Sequence, residues 1–427
     1  MMLSTLAVLP AFGLVNRALA IVYDTRFNGT TWDDRNWRIT TTALDQGHYQ
    51  SRMSLANGYL GINIAAVGPF FEADTPVDGD DINGWPLFDR RQTFATIAGF
   101  YDEQPTTNGS NFPWLNQYGG ESIISGVPHW AGLHLAVGDE VLNASVPAEQ
   151  ISEFSSTLDI KAGVLGWNYT WTPGNGPAIR IEYSMLVHKL YVNQAAVRLR
   201  ATPARDVNAS VIDVLDGDGA LRTTFAEKNY EPVFPMIWSG VKPVGIDKVT
   251  AYIFSILAGD DSCDSGSRTN YTMASTIGGN SSSIAQALTV ALKAGQTSTV
   301  TKFIGGASSD AFDDPKEVAL NASWSAANEG FDNMLASHMR EWQSILTEDS
   351  VDNYRFPENG TLPDDPNVVE LQITAITNPF HLIQNTVGTN AIVAAGHNTN
   401  LDVNSIAVGG LGSDSYAGHI FWDAEVW

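Results

Sequence analysis

Apolar and polar residues alternate in short runs between Trp130 and Phe303, with turn formers between the runs. Ala178 to Tyr183, Ala196 to Arg200 and Ile284 to Leu292 each follow this period of two. Repeated short segments of that kind predict an antiparallel β-sandwich. The sharpest instance is Trp167-Asn-Tyr-Thr-Trp171. A period of two sends Trp167, Tyr169 and Trp171 to one face, and Asn168 and Thr170 to the other. Asn168 and Thr170 form an Asn-x-Thr glycan acceptor, and a glycan cannot sit in a core. If Asn168 is modified, the aromatic face is the buried one; the alternative is an exposed aromatic stripe that binds sugar.

After Phe303 the period lengthens. Asp313, Asp314 and Pro315 mark a helix start, and Gly330 separates that helix from a second one. There Phe331, Leu335, His338, Trp342 and Ile345 recur at three- and four-residue steps, which predicts one apolar stripe. His338 lies on that stripe and reads as a hydrogen-bonded packing residue. Asp349 to Asp365 is polar, contains Pro357 and Pro363, and reads as a surface connection. A third helical pattern follows Pro366, with Val369, Ile373, Ile376, Phe380 and Ile383 in step. Pro379 predicts either a kink or a break near Asn378. The chain is therefore expected to be an α+β multidomain protein. Its expected divisions are a segment 1–20, a β-sandwich domain over 21–305, a helical linker over 306–365 and a final unit over 366–427.

Composition narrows the possible functions. The 427 residues are 44% hydrophobic and include 12 Trp, enough for large cores. With 47 Asp and Glu against 23 Lys and Arg, the formal charge is −24. A nucleic-acid partner would need a basic footprint instead. Leu3 to Val15 is apolar and Ala18-Leu19-Ala20 is a small-x-small run, so residues 1–20 read as an export signal, although Arg17 comes late for a positive leading region. No later run is apolar for long enough to span a membrane. Nine Asn-x-Ser/Thr acceptors stand at Asn28, Asn108, Asn143, Asn168, Asn208, Asn270, Asn280, Asn321 and Asn359. Behind an export signal they predict N-glycans. Cys263 is alone, so no intrachain disulfide forms. Together these features place the protein outside the cell, at the cell surface, in the periplasmic space or in a vacuole.

Motifs for nucleotide, zinc or serine-nucleophile chemistry are absent, and no cofactor is implied. The segment Gly418 to Trp427 instead gathers a histidine, two carboxylates and three large aromatics. Rings that cover an apolar sugar face, beside acceptor oxygens for its hydroxyls, suit a carbohydrate. A second motif is Ser54-Leu-Ala-Asn-Gly-Tyr-Leu-Gly61, whose glycines allow a tight strand-turn-strand corner. It resembles the N-terminal signature of glycoside hydrolase family 65. Asn83 to Asp102 and Gly119 to Trp130 are similar to the fungal acid trehalase branch of that family, and the similarity runs from about Asn28 to Trp427.

Gly410 to Glu425 looks like the family's barrel motif, Gly-His-x-Phe-Trp-Asp before an acidic residue. The resemblance implies that Trp422 and Asp423 bind the glucosyl unit, that Phe421 and His419 support the pocket, and that Glu425 is the family's usual acid there. It also implies that 366–427 begins an incomplete (α/α)6 barrel. The implied reaction is inverting hydrolysis of α,α-trehalose to glucose, with the general acid beyond Trp427 and this chain inactive alone. Geometry adds a limit. In an extended segment Asp423 and Glu425 point to the same side, with about 7 Å between Cα atoms, whereas inversion needs an acid and a base on opposite faces of the bond. The segment therefore supplies at most one of that pair. Helices after Pro366 would then carry apolar faces without partners. Two other readings remain: a non-catalytic carbohydrate-binding or cell-surface protein, and a family 65 disaccharide phosphorylase.

Overall fold

The computed structural model describes residues 21–47, 53–73, 92–103, 122–398, 400–401 and 406–421. The expected export segment, Asn108, Asn83 to Arg91, Gly119 to Glu121, and Trp422, Asp423 and Glu425 lie outside them.

Twenty strands run in chain order among the described residues. They begin with β1 (Val22–Asp24), β2 (Thr30–Asp33), β3 (Arg38–Thr41), β4 (Met53–Ala56), β5 (Leu60–Ile64), β6 (Ala95–Tyr101) and β7 (Ile124–Gly126). Next come β8 (Leu133–Val137), β9 (Glu140–Leu142), β10 (Ile151–Asp159), β11 (Val164–Trp171), β12 (Ile179–Val187), β13 (Gln194–Pro203) and β14 (Val207–Leu215). The last are β15 (Thr223–Glu231), β16 (Met236–Pro243), β17 (Ala251–Gly259), β18 (Cys263–Tyr271), β19 (Ile284–Leu292) and β20 (Ser298–Ser308). The helices are α1 (Ala274–Ile277), α2 (Pro315–Glu329), α3 (Phe331–Ile345), α4 (Pro366–Ile383) and α5 (Thr389–Ala394). No helix among the described residues is long and apolar enough to cross a membrane.

The strands form antiparallel ladders in three sheets. The largest has eleven strands, in the order β1-β2-β3-β10-β11-β12-β13-β20-β17-β16-β15. A five-stranded sheet, β18-β19-β14-β8-β9, and a four-stranded sheet, β4-β5-β6-β7, complete the set. The large and five-stranded sheets face each other, as two cross-sheet links show. Tyr183 Oη on β12 donates to Leu133 O on β8 at 2.8 Å. Lys302 on β20 pairs with Asp213 on β14, Nζ to Oδ1 2.7 Å, with both side chains fully buried.

Strand β11 follows the expected alternation. Trp167, Tyr169 and Trp171 are buried, while Asn168 is exposed. Trp167 Nε1 donates to Ala66 O and Trp171 Nε1 to Gln150 Oε1, so both buried indoles are hydrogen-bonded. The aromatic face is core, which removes the exposed sugar-binding stripe.

Helix α2 covers the opposite face of the large sheet. Asp314 caps it by accepting from Glu317 N, with Pro315 in its first turn. A Cβ at Gly305 would overlap Ala319 O, so this glycine allows the close approach of β20 to α2. In α3 the buried arc differs somewhat from the expected stripe. Phe331, His338 and Trp342 are buried, but Leu335 and Ile345 are only half-buried, and Met334 and Glu341 take their places. Glu341 tolerates burial because Asn390 Nδ2 donates to both of its oxygens. His338 packs as expected: Nδ1 accepts from Lys189 N at 2.9 Å, so Nε2 carries the proton and donates to Gly163 O at 3.0 Å.

Helix α4 runs unbroken through Pro379. The expectation of an unpartnered apolar face after Pro366 is corrected here, because Val369, Ile373, Ile376 and Phe380 are all buried. Phe380 stacks on Trp342 with 4.8 Å between ring centroids. Lys189 Nζ donates to Ile383 O and Thr386 O at the helix end, where the backbone carbonyls favour a cation. The connection before α4 is largely exposed but tied down. Arg355 Nη2 donates to Asp34 Oδ1 at 2.8 Å, and Leu362 N donates to Tyr23 Oη at 3.0 Å.

Candidate functional site

The site is built on the corner between β4 and β5. Asn57 Oδ1 accepts from Tyr59 N and Leu60 N, while its amide donates to His188 O and Val192 O. One buried side chain thus closes the turn and ties it to the large sheet. Tyr59 Oη accepts from Ser308 N at 2.9 Å, joining the turn to the end of β20.

The two glycines of the motif leave space for the chain that follows α4. Gly58 has φ +95°, and a Cβ there would overlap the Thr386–Val387 backbone. A Cβ on Gly61 would overlap Leu411. Gly61→Ala is expected to push 406–421 off the sheet, at a cost of about 1–3 kcal/mol from overpacking. Limited proteolysis should then cut first within that segment.

Residues 406–421 lie along the four-stranded sheet. Thr96 Oγ1 donates to Leu411 O, Tyr101 Oη donates to Gly418 O, and His419 Nε2 contacts Ser122 O. Leu411 packs with Ala56 and Ile124. Arg222 Nη2 donates to Ile124 O and, at 2.9 Å, to Asp414 Oδ2, in an ion pair only 10% exposed on each side. Desolvation raises the Asp414 carboxyl above its ordinary value, and Arg222 opposes that shift. Two openings flank the segment. One, of about 500 Å³, is lined by Ser54, His381, Gln384 and Asn385 among others; the other, of about 230 Å³, includes Tyr59, Tyr101 and Ile420.

Of the expected site residues, His419 and Phe421 are described. His419 is half-buried, 6.1 Å from the Tyr101 ring and 6.5 Å from that of Phe421. Phe421 is exposed and meets Tyr416 edge-on at 5.7 Å. The anchors Arg222 and Tyr101 escaped the sequence reading, since nothing near either one marks it as a partner of a segment almost 200 and more than 300 residues away. Among the described residues no group of three His, Cys, Asp or Glu comes together to hold a metal. Seven glycan acceptors, Asn28, Asn168, Asn208, Asn270, Asn280, Asn321 and Asn359, are exposed, and Asn143 is half-buried.

Comparison with known proteins agrees with this arrangement. Residues 39–345 match the model of the glycosyl hydrolase family 65 N-terminal domain. An acid trehalase of Emericella nidulans is 52% identical over 407 residues, covering 95% of this chain and 38% of the relative. A cell wall acid trehalase of Arthroderma benhamiae is 52% identical over 408 residues, with the same coverage. The chain thus spans little more than a third of the length of these relatives. Among solved structures, a putative kojibiose phosphorylase from the human microbiome shares the fold. Its TM-score is 0.64 at 14% identity, over 91% of this chain and 45% of that one. The chain belongs to glycosyl hydrolase family 65 and is a homologue of fungal acid trehalases.

Proposed function

We propose that this chain is the N-terminal part of an acid-trehalase-type glycoside hydrolase that converts α,α-trehalose to glucose with inversion. The carrying observation is 52% identity to acid trehalases over 95% of the chain. In this reading Trp422 and Asp423 hold the glucosyl unit, His419 and Phe421 support them, and Glu425 completes one wall. The docked segment 406–421 serves to deliver that wall at a fixed place, which is what a binding site on a loop requires of its scaffold. Residues 366–427 begin the (α/α)6 barrel, after a sandwich over 21–305 and a linker over 306–365. In this reading none of these 427 residues serves as the general acid, and the chain alone is expected to be inactive.

Export fits the same reading. Relatives are named cell wall and periplasmic/secreted acid trehalases, and all eight described glycan acceptors reach the surface. The protein is secreted or held at the cell surface, with residues 1–20 as its signal and N-glycans on its sandwich.

The test uses the protein extended to the length of its relatives. It should release two glucose per trehalose without added phosphate, which separates hydrolysis from phosphorolysis. Asp423→Asn should lower kcat/KM by about 10²-fold or more, the scale for losing one well-placed polar contact to the reacting unit. The 427-residue chain should release none. Sugar binding without turnover by the extended protein would leave a binding role and overturn this one.

A further inference from the structure

A third opening shares no lining residue with the docked segment 406–421. It holds about 700 Å³ and is lined by Gln46, Glu72, His134, Asn143, Asp218 and Thr276, among others. No Lys or Arg lines it, so it offers little to an anion. Its carboxylates, amides and hydroxyls suit a neutral group rich in hydroxyls.

One rim carries a glycan acceptor. Asn143 is half-buried and lines the cleft, whereas the seven other described acceptors are exposed. Asn143 Oδ1 accepts from Ser145 N at 2.9 Å, which leaves the amide nitrogen, the atom that carries a glycan, without a partner among the described residues. Gln46 Nε2 donates to Ala144 O at 3.2 Å and Val146 O at 2.9 Å, holding the acceptor loop at the cleft. Asn280 stands at another edge, where its N donates to Asp218 Oδ1 at 3.0 Å, but it is exposed and lines nothing.

His134 supplies an independent sign of an occupant. It is 6% exposed and lines the cleft, yet Nδ1 is buried without a partner, and neither ring nitrogen is hydrogen-bonded among the described residues. Buried polar groups of this kind are normally satisfied. Burial keeps the ring neutral, with one N–H to donate. An N-acetylglucosamine unit matches these surroundings. Its acetamide carbonyl needs a donor, its hydroxyls need acceptors, and its methyl group needs an apolar surface such as Phe71, which also lines the cleft.

We infer that the N-glycan on Asn143 is built into the fold: its first N-acetylglucosamine occupies this cleft, accepting a hydrogen bond from His134 and donating to Asp218 and Glu72. This rests on the export and glycosylation reading above and not on the trehalase chemistry. The sugar then bridges the loop after β9 to the connection between β14 and α1.

The test uses the extended protein secreted from a eukaryotic host and treated with peptide-N-glycosidase without denaturant, with each site followed by peptide mass spectrometry. Asn143 should lose its glycan about tenfold or more slowly than Asn168 and Asn280, because release requires local opening. After denaturation all three should be released alike. His134→Phe keeps a ring but no donor, and should speed native release at Asn143 by about fivefold while leaving Asn280 unchanged. Ser145→Ala abolishes the acceptor without touching the core, and so tests the inference even if His134→Phe does not fold. It should lower Tm by about 2 °C or more, whereas Asn168→Gln should leave Tm unchanged. Native release at Asn143 as fast as at Asn168, or a bare Asn143 beside modified Asn168 and Asn280, overturns the inference and leaves the export reading standing. If all three sites are bare, both fail.

Discussion

Lys302→Met is expected to lower the unfolding free energy by about 3–5 kcal/mol, the scale for removing one partner of a buried ion pair. Lys302 and Asp213 are both fully buried between the two facing sheets. Lys302 Nζ also donates to Val214 O at 2.7 Å and Gly132 O at 3.1 Å. The other Asp213 oxygen accepts from Ser255 Oγ at 2.7 Å and Gln286 Nε2 at 2.8 Å. Without the ammonium, Asp213 keeps two neutral donors but loses its counter-charge. A domain is stable by only about 5–15 kcal/mol, so the single change uses much of that margin. The double variant Lys302→Met/Asp213→Asn removes both charges while keeping an acceptor for Ser255 and Gln286. It should recover more than half of the loss. Urea titrations of the wild type, both single variants and the double variant check this, and additive effects would mean that the pair is not coupled.

Acid is expected to destabilise the fold steeply, by up to about 4 kcal/mol per pH unit as pH falls from about 6.5 towards 4. Three buried histidines set that slope. Burial lowers His338 from 6.5 to about 4 and His134 to about 3, with Lys302 adding repulsion at the latter. His188 is lowered to about 2, again chiefly by burial. Hydrogen bonding explains why two of them resist charging. His338 Nδ1 accepts from Lys189 N, and His188 Nδ1 accepts from Leu190 N and Tyr191 N. A proton on either nitrogen would oppose a backbone N–H. Because the folded values lie below the unfolded one, the unfolded chain binds more protons in this window. The stability is therefore present above about pH 6.5 and lost on acidification, at about 1.4 kcal/mol per unit for each histidine. Asp414 acts in the opposite sense, since its raised carboxyl favours the folded state at low pH and offsets part of the slope. Denaturation at several pH values between about 6.5 and 4.5 should show the slope. His338→Gln should reduce it by one proton, and a variant with the wild-type slope would exclude His338 from the effect.

Local pattern carried much of the secondary structure. The alternation at Trp167 to Trp171, the cap at Asp314 and Pro315, and the packing role of His338 were all legible, because each depends on neighbours within a few residues. Strands β15 and β18 were not, since Thr223–Glu231 and Cys263–Tyr271 are polar and mostly solvent-facing. Their place in a sheet comes from pairing, which leaves little trace in an edge strand. Lys302 was equally silent, as its partner is 89 positions away in the chain and on another sheet. At the site, Gly58 and Gly61 were read correctly as a tight corner, but what they make room for was not visible. That space belongs to Thr386 and Leu411, more than 300 residues on, and only the folded chain shows it.

The position of β20 in the large sheet has a consequence for how the protein is made. Strands β10 to β13 form one meander and β15 to β17 another, each from local hairpins. Strand β20 pairs with β13 on one side and β17 on the other, and so joins the two. Asn193 and Gly306, which meet beside that junction, are 113 residues apart. At about 5–20 residues per second, a ribosome leaves the edge of β13 open for roughly 5–20 s, and that of β17 for roughly 2–10 s, before their partner is synthesised. During that interval the nascent chain presents two unpaired edges able to recruit other strands. Its yield in a cell should then depend on chaperone supply and translation speed more than on the stability of the finished fold.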